Sequence, residues 1–267
     1  MNPVLLKPLA DTRSDVVVMG RSRPDLATLP WHRFHGDARL LAPAPADLAR
    51  RTGVPVLAGA CAIVLPGTRN TIHDLDWLWR TGLAAAVRAQ ANAGTPVLGI
   101  CGGYQMLGTA VEDPHGIEAG GTCPGLDLLD VHTVLVPVKE TRWTDARVHC
   151  AVPGLPLALS ATVRGYEIHH GATRAGPSAV PWLAADHALL GAASLNGRSV
   201  VLGAYLHALF ADDLFRAAFI ALSGGSTKGD RWASRLDAEI ERIADAVQSS
   251  IDMSRIDHII ETGVPCA

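Results

Sequence analysis

Several features that would assign this chain to a particular class are missing from its sequence. No apolar run reaches the length of a membrane span, and the N-terminus lacks the apolar stretch of a signal peptide. The five cysteines include no C-x-x-C pair, so neither a zinc site nor a redox motif is indicated. A formal net charge of −3 provides no attraction to nucleic acid or anionic membranes. We therefore expect a cytoplasmic protein that binds no metal, nucleic acid or membrane.

A nucleotide-binding motif is also missing. The sequence contains no G-x-x-x-x-G-K-[ST], the loop whose backbone N–H groups hold the phosphates of ATP in many enzymes. Residues 224–229 have the composition of such a loop but not its order, and we interpret them as a linker. We therefore expect no ATP site in this chain.

The order of apolar segments predicts an α/β protein. Apolar runs at 15–20, 39–41, 61–65, 97–100 and 199–207 indicate strands, and longer periodic segments at 74–92, 212–222 and 231–251 indicate helices. Short helices are predicted at 24–31 and 47–51, further strands at 126–138 and 162–171, and no assignment is made for 181–191. Alternating strands and helices predict a doubly wound, mostly parallel sheet, with the later strands as an antiparallel extension.

The segment from Pro96 to Gly108 carries the strongest chemical signal. A short apolar strand ends at Cys101, and two glycines and a helical turn follow. This is the nucleophile-elbow pattern G-x-nucleophile-x-G, in which small neighbours accommodate a strained turn. The helix N-terminus should favour the thiolate, and the N–H of Gly102 is placed to donate to an oxyanion. A buried structural cysteine before a glycine-rich turn would produce the same pattern. The elbow alone therefore does not distinguish a catalytic cysteine from a structural one.

Two further segments fit a cysteine nucleophile. Gly67 follows the strand at 61–65, where its N–H is placed as a second oxyanion donor. His207 ends the strand at 199–207, at the same sheet edge as Cys101 if these strands are parallel neighbours, and an imidazole is the usual base for a thiol. A single histidine is weak evidence, because the chain has eleven, including His169 and His170.

Four segments together resemble a known family. They are Gly67 to Asp74, Pro96 to Gly108, Gly165 to Gly171 (GYEIHHG) and Tyr205 to His207. In this order they are similar to the glutamine amidotransferase domain of cobyric acid synthase, over residues 57–222. The resemblance implies the flavodoxin-like fold of class I glutamine amidotransferases.

The resemblance also implies roles for individual residues. Cys101 would form a thioester with glutamine, and His207 would act as general base and acid. Gly67 and Gly102 would hold the oxyanion, and Gln105 would lie beside the bound glutamine. Glu167 would either orient His207 or serve as a binding or structural carboxylate.

Three positions depart from a familiar amidotransferase pattern. Leu209 stands where many members of the class have a glutamate two residues after the histidine, although this subfamily, by resemblance, generally lacks that glutamate. Ala208 replaces a usual glycine, and Arg69 replaces a usual lysine. Arginine keeps the charge but changes its geometry.

By resemblance, most of an N-terminal ATP-dependent synthetase domain is missing. Residues 1–56 are then a remnant and linker, residues 57–222 the amidotransferase domain, and residues 223–267 a linker and C-terminal helix. We hypothesise that residues 15–20 and 39–41 replace lost opening strands. ATP and magnesium are expected on a separate synthetase, which would use the ammonia to amidate corrin carboxylates.

Other functions stay open at this point. The chain could be the glutaminase subunit of another amidotransferase, such as the one that amidates peptidoglycan lipid II. It could also be a non-catalytic remnant, or a cysteine hydrolase with the same elbow.

Overall fold

The computed structural model describes residues 16–19, 39–41, 57, 60–194, 199–225 and 232–263. The described residues form two compact units, one ending at residue 225 and one beginning at residue 232. The short helices predicted at 24–31 and 47–51 and the linker at 226–229 lie outside the described residues. Among those described, no helix is both long and apolar enough to cross a membrane.

A single mixed sheet organises the first unit. In chain order its strands are β1 Val16–Met19, β2 Arg39–Leu41, β3 Ala62–Leu65, β4 Val97–Ile100, β5 Ala110–Asp113, β6 Gly121–Pro124, β7 Val131–Val148, β8 Thr162–Ala175, β9 Val180–Ala185, β10 Ala188–Ser194 and β11 Val201–Ala204. The spatial order is β2-β1-β3-β4-β11-β10-β9-β7-β5-β6, with β8 paired to β7. The strands β2, β1, β3, β4 and β11 are parallel neighbours, and β10, β9, β7 and β8 continue antiparallel. The predicted parallel sheet with an antiparallel extension is confirmed.

Both short N-terminal segments pair within this sheet. Val17 of β1 lies opposite Arg39 of β2 and Ile63 of β3, in parallel register. They therefore stand at the sheet edge where the lost opening strands were expected. The domain boundaries drawn from the sequence stay a prediction.

Helices cover both faces of the sheet. The helices of the first unit are α1 Thr71–Arg80, α2 Leu83–Ala93, α3 Gly102–Leu107 and α4 Asp213–Leu222. Alternate residues of β3 enter two different cores, because neighbouring strand side chains point to opposite faces. One core contains Leu75 of α1 and Val87 of α2, and the other contains Phe215 and Phe219 of α4.

The helix predicted over 74–92 is wrong in one respect, because two helices occupy that region. Gly82 adopts a left-handed conformation, φ 79°, and Thr81 ends α1 by donating its N–H to the carbonyl of Trp77. A glycine in this conformation interrupts the α-helical hydrogen-bond ladder. The segment 181–191, left without an assignment, forms parts of the antiparallel strands β9 and β10.

The second unit contains two helices, α5 Trp232–Ser250 and α6 Met253–Thr262. The helix predicted over 231–251 corresponds to α5. Asp252 caps α6 by accepting a hydrogen bond from the N–H of Arg255. Four apolar side chains of α5 at helical spacing are exposed: Leu236, Ile240, Ile243 and Val247.

Candidate active site

Cys101 lies at a strained turn between β4 and α3. Its backbone has φ 54° and ψ −110°, a conformation that L-residues rarely adopt. Its N–H donates to the carbonyl of Ala204, 2.8 Å away, and α3 begins at the next residue. Close packing requires glycine on this turn, because a Cβ at Gly103 would lie 1.9 Å from the carbonyl oxygen of Leu65. This strand–turn–helix geometry is that of a nucleophile elbow.

The thiol of Cys101 is buried and protonated in the resting site. Burial raises its pKa to about 12, and the backbone N–H of Gly102 opposes that shift without reversing it. The Sγ atom donates to the carbonyl of Ile168 at 3.5 Å. The expectation of a thiolate at the helix N-terminus is therefore wrong for the resting site, because desolvation outweighs the backbone N–H.

His207 reaches the same sheet edge as Cys101. Its strand β11 pairs in parallel with β4, and Ala204 lies opposite Ile100 at the end of both strands. The N–H of His207 donates to the carbonyl of Tyr166 at 2.8 Å, and the two rings stack with centroids 4.9 Å apart. Tyr166 therefore holds both the backbone and the ring of this histidine.

Both ring nitrogens of His207 are buried and have no hydrogen-bond partner among the described residues. Burial lowers the pKa of His207 to about 4, and the neighbouring His169 contributes to the same shift. The imidazole is therefore neutral at physiological pH, with one nitrogen able to accept a proton. Burying a polar group without a hydrogen-bond partner costs folding free energy. Such groups are typical of ligand-binding and catalytic sites.

The turn after β3 brings Gly67 next to both side chains. A Cβ at Gly67 would lie 3.0 Å from Cε1 of His207 and 3.5 Å from Cβ of Cys101. Its N–H has no hydrogen-bond partner among the described residues. On the other side of the turn, a Cβ at Gly102 would lie 3.1 Å from the backbone nitrogen of Thr68. The structure thus brings both predicted oxyanion residues to the elbow.

Gln105 is part of a buried polar network. It is 2% exposed, its Oε1 accepts from the hydroxyl of Thr71 at 2.9 Å, and its Nε2 donates to the hydroxyl of Tyr205 at 3.3 Å. The network fixes α3 to α1 and to the segment after β11. That Gln105 lies beside the bound glutamine stays a prediction.

Glu167 lies in a different cluster from His207. Its Oε1 accepts from the hydroxyl of Thr144 at 2.5 Å and lies 3.0 Å from Nε2 of His187, and its Oε2 lies 3.6 Å from Nε2 of His169. No hydrogen bond or ion pair among the described residues joins Glu167 to His207. The structure therefore does not bring Glu167 to the imidazole that it was considered to orient.

Two charged residues near the thiol were missed by the sequence analysis. The negative charge of Glu118 raises the pKa of Cys101, and the positive charge of Lys139 lowers it, so both act on the sulfur atom. Burial raises the pKa of Glu118 itself to about 7. The sequence signal was slight, because Glu118 lies in a glycine-containing segment after the elbow helix and Lys139 directly follows the strand predicted at 126–138.

Four of the five cysteines lie in the part of the chain that the structure describes. Cys61, Cys101, Cys123 and Cys150 are free thiols. In the part of the chain that the structure describes, no group of three or more His, Cys, Asp or Glu side chains is arranged to hold a metal ion.

The sequence pattern of the CobB/CobQ-like glutamine amidotransferase domain matches residues 25–215. The chain belongs to this family. The match includes every residue of the candidate site, from the Gly67 turn through the Cys101 elbow to His207.

Curated relatives of the amidotransferase chain are cobyric acid synthases. The protein from Rhodobacter capsulatus is 43% identical over 205 residues, which cover 76% of this chain and 41% of the relative. The protein from Halorhodospira halophila is 42% identical over 200 residues, or 73% of this chain and 37% of the relative. The chain thus spans about 40% of the length of these relatives.

A third relative aligns with more of the chain. The cobyric acid synthase of Deinococcus radiodurans is 29% identical over 426 aligned positions, covering 96% of this chain and 84% of the relative. That alignment is longer than the 267 residues present, so it opens gaps in this chain.

Two solved structures share the fold of this chain. A crystal structure of a glutamine amidotransferase has a TM-score of 0.55 and 17% identity, covering 79% of this chain and all of that chain. The PurLQS complex of Thermotoga maritima has a TM-score of 0.53 and 16% identity, covering 79% of this chain and 98% of that chain. These similarities show the fold, as the sequence analysis predicted.

Proposed function

We propose that this chain is a cytoplasmic glutaminase of the cobyric acid synthase type, which releases ammonia from glutamine through a thioester at Cys101. One observation carries the proposal: a buried thiol on a strained elbow and the imidazole of His207 both lie against Gly67, and neither ring nitrogen of His207 has a hydrogen-bond partner among the described residues. A buried structural cysteine would not explain the strained backbone or the unpartnered imidazole.

The first chemical step is attack on the side-chain amide of glutamine. The Sγ atom of Cys101 bonds to the amide carbon while its proton passes to His207. The N–H groups of Gly67 and Gly102 stabilise the oxyanion, a contribution of about 3 kcal/mol for each donor. Burial raises the pKa of Cys101 and lowers the pKa of His207, so the attack requires His207 to take the proton of the thiol.

The second step frees the enzyme. His207 returns the proton to the amide nitrogen, the C–N bond breaks, and ammonia leaves behind a glutamyl thioester. His207 then takes a proton from water as the resulting hydroxide adds to the thioester carbon. The C–S bond breaks, His207 returns the proton to the sulfur atom, and glutamate departs.

The ammonia would serve a separate synthetase. Cobyric acid synthases at 42–43% identity support corrin carboxylates as the acceptors. A carboxylate must be activated before ammonia can displace its oxygen, and this chain has no G-x-x-x-x-G-K-[ST] loop for ATP. We therefore assign ATP, magnesium and the corrin substrate to a partner synthetase, with this chain as the ammonia source.

The test is glutamate release from glutamine by the purified chain. We expect turnover in the wild type and in Cys61→Ser, whose thiol is exposed and remote from the elbow sequence. Cys101→Ala and His207→Asn should each lose about 10³-fold or more in turnover. Equal rates in wild type and Cys101→Ala would refute the proposal.

A further inference from the structure

The imidazole of His207 is held without a carboxylate. A general base beside a nucleophile is usually oriented by a third group, often an aspartate or glutamate. Among the described residues, neither Glu167 nor any other carboxylate bonds to a ring nitrogen of His207. Leu209, where many class I amidotransferases have that glutamate, is fully buried in a hydrophobic core. A different contact must therefore orient this ring.

Strand β8 fixes the backbone of His207. The N–H of His207 donates to the carbonyl of Tyr166 at 2.8 Å, and the N–H of Tyr166 donates to the carbonyl of His207 at 3.4 Å, which forms an isolated antiparallel bridge. A Cβ at Gly165 would lie 2.1 Å from the carbonyl oxygen of His207, so the two backbones are in close contact. Residues that lie opposite each other in an antiparallel pair have neighbouring side chains. The bridge therefore brings the ring of Tyr166 to the imidazole.

The ring of Tyr166 covers one face of that imidazole. The two rings are nearly parallel, with an interplanar angle of 7° and centroids 4.9 Å apart. His207 is only 8% exposed, so the contact is largely shielded from water. The Cε1 atom of His207 also lies against Gly67, where a Cβ would be 3.0 Å away. The stack and the Gly67 turn together restrict rotation of the imidazole.

We propose that Tyr166 is a positioning residue that takes the place of a triad carboxylate, orienting the imidazole of His207 by stacking and stabilising its protonated form with its π face. This inference rests on the proposed glutaminase function. When Cys101 attacks, the proton of its thiol passes to His207, and the imidazole becomes a cation. An aromatic face within about 6 Å attracts a cation, most strongly where water is excluded. The contact is therefore stronger in the transition state than with the neutral ring.

The imidazolium benefits from such a contact because its surroundings oppose its formation. Burial lowers the pKa of His207 to about 4, and the neighbouring His169 adds to this shift. A carboxylate would favour the imidazolium, but its negative charge would also raise the pKa of the nearby Cys101 thiol. The uncharged ring of Tyr166 supports the cation without adding a charge beside the thiol.

Substitutions at position 166 separate the aromatic face from apolar bulk. Tyr166→Leu keeps an apolar side chain, and we expect it to lower kcat about 30-fold while the KM for glutamine stays within about twofold. Tyr166→Phe keeps the ring and should recover about 10-fold or more of that loss. A Tyr166→Phe kcat as low as that of Tyr166→Leu, or a wild-type kcat in Tyr166→Leu, would overturn the inference.

Trp143→Leu is the matched control. It also replaces an aromatic ring by leucine, but Trp143 is 77% exposed, and its ring centroid lies 5.6 Å from that of Tyr166. We expect kcat and KM within about twofold of the wild type, because the face of Tyr166 against His207 is retained. A loss of kcat equal to that of Tyr166→Leu would overturn the assignment to the Tyr166 face.

Alkylation of Cys101 by chloroacetamide distinguishes positioning from a loosened site. The sulfur atom bonds to the methylene carbon of the reagent, chloride leaves, and the proton of the thiol passes to His207. Losing the contact with the imidazolium should slow labelling of the Cys101 peptide in Tyr166→Leu about 10-fold or more. A merely loosened structure would instead expose the buried thiol and speed its labelling. A rate equal to or above that of the wild type would overturn the inference.

The same labelling separates failure of the inference from failure of the proposed function, because it needs no glutamine. His207→Asn, which removes the base, should label Cys101 as slowly as Tyr166→Leu or more slowly. If the wild type releases no glutamate while both variants label slowly, the glutaminase function fails and the positioning role of Tyr166 is retained. If the wild type hydrolyses glutamine and only His207→Asn labels slowly, the inference alone fails.

Discussion

Two residues at the site take backbone conformations that their side chains disfavour. Cys101 has φ 54°, and Ala208, which directly follows His207, has φ 63° and ψ 18°. At Cys101 the strained turn aims the thiol out of the sheet. At Ala208 the left-handed conformation begins the 3₁₀ turn Leu209–Ala211, at the position where the resemblance implies glycine. Alanine therefore stores strain here that glycine would not.

This strain predicts a stabilising substitution. We expect Ala208→Gly to raise the free energy of unfolding by about 1 kcal/mol, because glycine adopts positive φ without a Cβ clash. The measurement is urea denaturation followed by tryptophan fluorescence.

The control for Ala208→Gly is Ala85→Gly, on the exposed side of α2. Glycine in a helix interior is unfavourable, so this variant should lose about 1 kcal/mol. A loss of stability in both variants would show that Ala208 is not strained.

A second prediction at this scale concerns the pH dependence of stability. Burial raises the pKa of Glu118 from 4.5 to about 7. A carboxyl group whose pKa is higher in the folded state contributes stability below pH 4.5, and that contribution is lost as the pH rises through 7. The free energy of unfolding of Glu118→Gln, relative to wild type, should therefore increase between pH 5 and pH 8 in urea titrations.

The contribution of Asp113 to the free energy of unfolding should depend on pH with the opposite sign. Burial alone would raise its pKa, but the backbone N–H groups of its loop outweigh burial and lower it. Its contribution is present above the unfolded-state pKa and is lost as the pH falls, so Asp113→Asn should destabilise the protein more at pH 8 than at pH 4. Parallel pH trends in the two variants would contradict these assignments.

Among the elements, the contact of α3 with β3 is the tightest around the site. A Cβ at Gly103 would lie 1.9 Å from the carbonyl oxygen of Leu65 on β3. A Cβ at Gly99 on β4 would lie 2.5 Å from the carbonyl oxygen of Gly103. The helix therefore rests directly on the backbone of the neighbouring strand. This contact sets the position of the elbow.

We expect Gly103→Ala to destabilise the protein by about 4 kcal/mol or more, because backbone atoms on both elements would have to separate. The readout is the urea midpoint or, if the variant does not fold, the loss of its near-ultraviolet circular dichroism.

Gly116→Ala provides the control for this substitution. Nothing lies within 4 Å of a Cβ at Gly116, but its φ of 63° disfavours alanine. That variant should lose only about 1 kcal/mol. Equal losses at the two positions would show that backbone conformation, and not contact with β3, governs Gly103.

The central strands were predictable from their sequence alone. Parallel strands covered on both faces are continuous apolar runs, and 61–65 and 97–100 are of this kind. The strands β9 and β10 were not assigned, because their pairing contains register shifts and their apolar pattern is unclear. Local patterning cannot determine a register that depends on pairing with a distant strand.

For the whole molecule, the two hydrophobic cores belong to the first unit. All of the core residues that the structure describes lie between Leu57 and Leu222. In the second unit, none of the side chains that the structure describes is buried. The core residues that the structure describes thus all belong to the sheet unit.

This separation predicts that a chain ending at residue 225 folds. We expect its thermal midpoint to lie within about 3 °C of the full chain, a shift corresponding to less than about 1 kcal/mol. Differential scanning calorimetry measures it, with a chain ending at residue 212, which removes Phe215 and Phe219 from their core, as the control that should not fold. A truncated chain that unfolds much earlier would contradict the boundary predicted near residue 222.

The sequence by itself determined the fold class, the family and the residues proposed for chemistry. Each of these depends on local information: apolar runs, glycines around Cys101, and short segments in a fixed order. The tertiary structure decided which charges meet the thiol. Glu118 and Lys139 lie 17 and 38 positions beyond Cys101, and the charges of both affect the pKa of its thiol in the folded chain. It also decided that Glu167 faces Thr144 and His187, because strand pairing, not sequence spacing, sets which side chains share a face.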